Sequence, residues 1–404
     1  MNDTNTPHAA QHGKTGVALP PIRRQIDALA GSKIREVSDL GMKLDGVLPL
    51  WFGESDMTTP DFIRDAAKAS LDEGETFYAE NLGIPPLREA IAGYQSRLLG
   101  KTVAPERIVV TNSGMTALML VMQVLLGEGD NAIITTPIWP NCIEAARIMG
   151  AEPRLVQLRM GGGGDSAWRL DLDELFAAVD EKTRLILINS PSNPTGWVMP
   201  PEDQRAVLDF ARQRGIWVIA DEVYERIVYD APRAPSFLDL AEPTDPVIAA
   251  NSFSKSWCMT GWRLGWITVP EGMAANFGKV VEYNFSCAPV FIQRAGIAAL
   301  EGGEEFIAQI VADYRRNRDL VYQRLMGTGR VRMANPPGAF YAFMAIEGME
   351  DSLAFARMLI EKHKVGLAPG SAFGPGGEGH IRLCFAIAHE KLSEAVDRLV
   401  TALA

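Results

Sequence analysis

Val247-Ile-Ala-Ala250-Asn-Ser-Phe-Ser-Lys255-Ser-Trp-Cys-Met-Thr-Gly-Trp-Arg263-Leu-Gly265-Trp-Ile-Thr-Val269 holds two short apolar runs separated by a polar turn. Val247–Ala250 and Gly265–Val269 have the length and composition of strands. Between them lie four hydroxyls, Ser252 and Ser254 among them, one amine (Lys255) and one guanidinium (Arg263). Open α/β sheets bind ligands at the carboxyl ends of their strands, so this turn is a candidate site.

The same rhythm continues upstream. Ile108–Thr111, Asn131–Thr135, Glu152–Gln157, Arg184–Asn189 and Trp217–Ala220 read as further strands. Helical patterns fall between them at Thr116–Leu126, Pro140–Met149, Asp171–Val179 and Pro201–Arg214. Alternating strands and helices predict an α/β fold, with a mostly parallel central sheet covered by helices on both faces. After about residue 300 the pattern changes. A long helix (Gly303–Leu325) precedes short strands near Ala339–Met344 and His380–Ala386 and a closing helix at Leu392–Leu403, the pattern of a smaller α+β domain.

Upstream of the sheet, residues 1–20 read as a polar flexible tail. A helix-like stretch follows at Ile22–Leu40, then an apolar run at Val47–Phe52 closed by Gly53, then a helix at Asp61–Glu73. A chain of 404 residues exceeds one compact core. The expected division is a tail (1–20), the N-terminal part of a small domain (21–55), a large domain (56–300) and the C-terminal part of the small domain (301–404).

The formal net charge of −11 argues against nucleic acid or an anionic membrane as the main partner. No apolar run approaches a membrane span and the N-terminus has no secretory pattern, so a cytoplasmic location is expected. Cys142, Cys258, Cys287 and Cys384 are scattered, and the histidines lack metal-binding spacing, so neither a disulfide framework nor a metal site is expected. Gly374-Pro-Gly376-Gly-Glu-Gly379 has the letters of a dinucleotide fingerprint but runs into a strand instead of opening a helix. Gly161–Gly164 reads as a surface turn.

Four strand-end segments stand out together. They are Thr111-Asn-Ser113-Gly114-Met115, Ser190-Pro-Ser-Asn193-Pro-Thr-Gly196, Asp221-Glu-Val-Tyr224 and the Lys255 turn. Singly, each has an ordinary explanation: a helix cap, a turn, a solvated lysine. In this order, each at a strand end, they describe one site.

The set resembles the fold-type I pyridoxal phosphate enzymes, and within them the class I aminotransferases of the aspartate aminotransferase group, over about residues 45–390. The resemblance implies pyridoxal 5′-phosphate held by Lys255 as a Schiff base, with the freed amine later moving the α-proton. It implies that Asp221 keeps the pyridine nitrogen protonated, and that Tyr224 and Asn193 hydrogen-bond the phenolic oxygen. Ser113, Gly114, Met115, Ser252, Ser254 and Arg263 would bind the phosphate. Trp139 would stack on the ring. Arg382, Asn193 and the backbone of Gly53 would hold the substrate carboxylate, with Trp139 beside the substrate. Tyr78 would reach the phosphate of a neighbouring subunit, which makes a homodimer with shared sites the expected assembly.

The implied activity is transfer of an amino group from an L-amino acid to a 2-oxo acid. Some relatives that prefer acidic substrates carry a lysine where this chain has Met115, and the loop Glu282–Pro289 has no arginine. An apolar, aromatic or broad-range donor is therefore expected. Two other readings use the same scaffold. A β-eliminating carbon–sulfur lyase would release ammonia and pyruvate without an acceptor. A non-catalytic cofactor-binding regulator would normally carry a DNA-binding domain.

Overall fold

The computed structural model describes residues 19–161 and 167–404. Most of the expected tail and Gly162–Gly164 of the expected turn lie outside the described residues. The chain divides into two compact units, one ending at Ala30 and the other running from Gly31 to Ala404. The helix-like stretch Ile22–Leu40 is two helices, Arg24–Asp27 and Lys33–Gly41. The second begins afresh because Ser32 caps it by accepting from the Arg35 amide.

A seven-stranded sheet dominates the larger unit. Its strands are β1 (Ile108–Thr111), β2 (Asn131–Thr136), β3 (Glu152–Gln157), β4 (Thr183–Asn189), β5 (Trp217–Asp221), β6 (Val247–Ser252) and β7 (Gly265–Thr268). The spatial order is β1-β7-β6-β5-β4-β2-β3, and β7 alone runs antiparallel to its neighbours. Successive side chains on a strand point to opposite faces, and helices cover both. Leu185, Leu187 and Ile219 join one apolar cluster, while Ile186, Ile188, Val218 and Ala220 join another. This is why the strands read as continuous apolar runs.

The register lines up the chemistry. Asn189 lies beside Asp221, and Gly265 lies between Ser252 and Thr111. The ends of β1, β6, β5 and β4 therefore share one edge. Strands β5 and β6 run on through Asp221 and Ser252, past the apolar residues that mark them in the sequence, because the ladder continues into buried polar positions.

A second, antiparallel sheet contains β8 (Val331–Arg332), β9 (Tyr341–Ile346), β10 (Ala368–Pro369) and β11 (His380–Cys384), in the order β8-β9-β11-β10. The helices Glu304–Met326 and His389–Leu403 pack with it into an apolar cluster that also includes Tyr224 from the end of β5. That cluster joins the two sheets and brings β9 and β11 to the ligand edge of the large one.

Candidate active site

At the carboxyl edge of the large sheet lies a cavity of ≈160 Å³. Its walls include Gly114, Met115, Trp139, Asn193, Asp221, Tyr224, Ser252, Ser254, Lys255 and Arg263. A larger cavity, ≈680 Å³ around Trp168 and Trp197, has none of these residues in its wall.

Lys255 sits in the short helix Phe253–Ser256 that follows β6 directly. Its Nζ donates to the Gly53 carbonyl at 2.6 Å. Burial lowers its pKa to about 8, and the nearby Arg382 and Arg263 push the same way. A substantial fraction of this amine is therefore neutral, and nucleophilic, near physiological pH.

Asp221 ends β5 and is 3% exposed. Burial raises its carboxyl to about 7, and the Lys255 ammonium pulls in the opposite direction. Its Oδ1 is buried without a hydrogen-bond partner. An orphaned carboxylate oxygen at a cavity wall calls for a cation or an N–H donor from a bound molecule. Tyr224 stands one turn on, its hydroxyl 2.6 Å from that of Tyr341. Burial raises both phenols, so both keep their protons.

A second group of residues at the cavity has the chemistry of an anion site. Ser113 caps the helix Gly114–Leu125, its Oγ accepting from the Thr116 amide at 3.0 Å. The cap starts this helix two residues before the apolar periodicity does, and the first N–H groups of a helix have no partner within it. The approach is so close that a Cβ on Gly265 would meet the Gly114 nitrogen at 2.8 Å. Beside this terminus stand the Ser252 and Ser254 hydroxyls, 3.0 Å apart. Arg263 donates to the Thr260 carbonyl, and no carboxylate pairs with it among the described residues.

Arg382 projects from β11 and is 2% exposed. Its guanidinium donates to Asn193 Oδ1 at 2.8 Å and to the Trp51 carbonyl, and it packs over the rings of Tyr341 and Phe373. Its Nε has no partner, and no carboxylate neutralises it among the described residues. A buried guanidinium without a counter-ion gains from a bound anion, a carboxylate among them.

Of the residues singled out in the sequence, all but four line the cavity. Arg382 and Gly53 adjoin it through Asn193 and Lys255. Ser113 serves as the cap beneath it. Tyr78 stands apart, 91% exposed on the loop before the helix Pro85–Leu99. Two neighbours emerge only from the structure. Asn189 accepts from the Asn193 amide at 2.8 Å and donates to the Asp221 carbonyl at 3.3 Å. Its signal was a polar residue closing the apolar run Leu185–Ile188. Tyr341 had no local signal.

These residues fit pyridoxal 5′-phosphate. The amine suits its aldehyde, the orphaned Asp221 oxygen its ring nitrogen, and the helix terminus with Arg263 its phosphate.

The family model described as aminotransferase class I and II matches residues 47–399. An aspartate aminotransferase of Pyrococcus horikoshii is 36% identical over 95% of this chain and 97% of its own length. Aromatic-amino-acid aminotransferase 2 of Thermococcus litoralis is 35% identical, over 93% of this chain and 96% of its own. The crystal structure of the Thermotoga maritima aspartate aminotransferase superposes with a TM-score of 0.88 at 34% identity, covering 95% of this chain and 100% of that one.

Proposed function

The chain belongs to the class I and II aminotransferases, which transfer amino groups with pyridoxal 5′-phosphate, and from that premise we propose that its amino donor is an apolar or aromatic amino acid, or a broad set including these. One observation carries this reading. The only cations in the cavity wall among the described residues are Lys255 and Arg263, and its apolar members include Met115, Leu118 and Trp139. Lys255, Arg263 and the adjacent Arg382 each have a task, so a second substrate carboxylate meets no further cation. The named relatives include both aspartate and aromatic enzymes.

When bound, the cofactor supplies an aldehyde that takes up the amino group and a ring that accepts the electron pair left when the α-proton departs. Lys255 would hold the cofactor, and its depressed pKa suits it to carry the proton that leaves the substrate. Asp221 keeps a proton on the ring nitrogen. Tyr224 and Asn193 hydrogen-bond the phenolic oxygen. Ser113, Gly114, Met115, Ser252, Ser254 and Arg263 hold the phosphate, and Trp139 covers the ring face. Arg382, aligned by Asn193, grips the substrate carboxylate, with the Gly53 backbone beside it.

The nearly fully exposed Tyr78, with Phe77 at 83% and Tyr283 at 90%, supports a homodimer in which Tyr78 reaches the phosphate end of a second copy's cavity. No helix among the described residues is long and apolar enough to cross a membrane. Four free cysteines, three of them buried, suit the reducing cytoplasm.

Mixing the loaded enzyme with single amino acids, without acceptor, tests the donor. Phenylalanine, tyrosine or leucine is expected to bleach the visible band faster than aspartate. Aspartate outrunning all of them would overturn the reading. Steady release of ammonia without bleaching would instead indicate the lyase, which the aminotransferase relatives do not favour.

A further inference from the structure

We propose that Tyr341 is a positioning residue for this reaction: its hydroxyl turns the Tyr224 proton toward the cavity, while its ring supports the Arg382 guanidinium. The inference rests on the aminotransferase reading and extends it to a residue with no place in the cavity wall.

Tyr341 lies on β9, in the small sheet, and its side chain is completely buried. Its hydroxyl is 2.6 Å from that of Tyr224, and the two rings meet edge to face with centroids 5.7 Å apart. Each hydroxyl has one proton, and Tyr224 is the one hydrogen-bond partner of the Tyr341 hydroxyl among the described residues. Tyr224 faces the cavity and Tyr341 does not. A bound molecule can therefore accept only the Tyr224 proton, and Tyr224 is free to give it only if it accepts from Tyr341. Donation in series strengthens each bond of the chain. The charged and titratable groups around the pair include Arg382, Asp221, Cys384 and Glu54, with the Lys255 amine 5.8 Å from the Tyr224 ring centroid. Burial keeps both phenols protonated, so the relay stays neutral across the working pH range.

The ring does separate work. The Arg382 guanidinium carbon lies 4.6 Å from the Tyr341 ring centroid, a cation–π distance. One side chain thus touches the residue assigned to the cofactor's phenolic oxygen and the residue assigned to the substrate carboxylate. The backbone makes room for it. A Cβ on Gly53 would lie 2.0 Å from the Tyr341 hydroxyl oxygen.

Two variants of the loaded enzyme separate these tasks. Tyr341→Phe keeps the ring and deletes the hydroxyl. A weaker Tyr224 donation stabilises the deprotonated form of the bound chromophore less, so the midpoint of the visible band's pH titration is expected to rise. The rise should be about half to one pH unit, the worth of one ordinary hydrogen bond. Binding of 3-phenylpropanoate, a carboxylate with no amine, should stay within about twofold in this variant. Tyr341→Leu deletes the ring as well and should weaken that binding about tenfold, within the range of a desolvated cation–π contact. An unmoved midpoint in Tyr341→Phe, with a wild-type band that titrates normally, overturns the relay alone. Unchanged carboxylate binding in a folded Tyr341→Leu overturns the support of Arg382. A wild type with no titrating visible band overturns the aminotransferase reading itself.

Discussion

Arg382 donates to the side-chain oxygen of Asn193 at 2.8 Å, although 189 positions separate them in the chain. The bond ties the second sheet to the loop after β4 and fixes the guanidinium where a carboxylate can meet it. Arg382→Ala is expected to raise KM for every amino donor by roughly two orders of magnitude, the cost of deleting one member of a desolvated charge pair. Arg382→Lys should restore little of this, since a point charge cannot reproduce the fork. Steady-state kinetics with several donors checks both, because the loss should not depend on the donor side chain.

The depressed pKa of Lys255 is accessible in the cofactor-free protein. Capture of pyridoxal phosphate requires the neutral amine, so its rate should climb nearly tenfold per pH unit below about 8 and level above it. Stopped-flow absorbance against pH reads this directly. Lys255→Ala should fold, show no such phase and give no turnover.

Asp221 has its folded-state pKa raised to about 7 by burial. The folded protein therefore binds a proton that the unfolded chain gives up near 3.8, so stability falls as pH rises between those values. Above about 7 the loss is complete, on the order of a few kcal/mol from this group. Glu222 and Glu225, also raised by burial, add in the same direction. Asp221→Asn should flatten the decline of apo-protein Tm between pH 4 and 7 without abolishing it, and should lower turnover of the loaded enzyme at least about a hundredfold. Thermal melts across pH test the first effect and rate assays the second.

Gly53→Ala places a methyl where the Tyr341 hydroxyl sits. The clash should cost about 1–3 kcal/mol of stability, measured by denaturant unfolding. The loaded variant should also show the upward shift in visible-band titration expected of Tyr341→Phe.

Met115 lies at the start of the helix Gly114–Leu125, in the cavity wall, where its sulfur accepts from Asn141 Nδ2 at 3.4 Å. Met115→Lys adds a cation there. The ratio of kcat/KM for aspartate to that for phenylalanine is expected to rise about tenfold or more, and an unchanged ratio would place the substrate side chain elsewhere.

Much of this architecture was legible before the structure because parallel strands bury both faces and announce themselves as apolar runs. Asp221 directly follows such a run, whereas Asn193 and Lys255 lie a few residues past theirs and stand out through the motifs around them and the resemblance those motifs carry. Strand limits were read short at Asp221 and Ser252, since polarity ends a pattern before hydrogen bonding ends a strand. Ile22–Leu40 reads as a helix-like stretch because its periodicity outlasts the break between the two helices, the second of which starts at the Ser32 cap. Tyr341 was illegible for a different reason. In an apolar strand it looks like ordinary core, and its hydroxyl partner lies 117 residues away.

All seven strands of the large sheet fall in one uninterrupted stretch, Ile108 to Thr268, whereas Tyr341 and Arg382 come near the end of the chain. A growing chain emerges from its N-terminus and its domains tend to form in that order. The residues proposed for the cofactor are thus synthesised well before Arg382, the cation proposed for the substrate carboxylate. A chain released before Arg382 would carry the residues proposed for the cofactor but lack the guanidinium proposed for the substrate carboxylate.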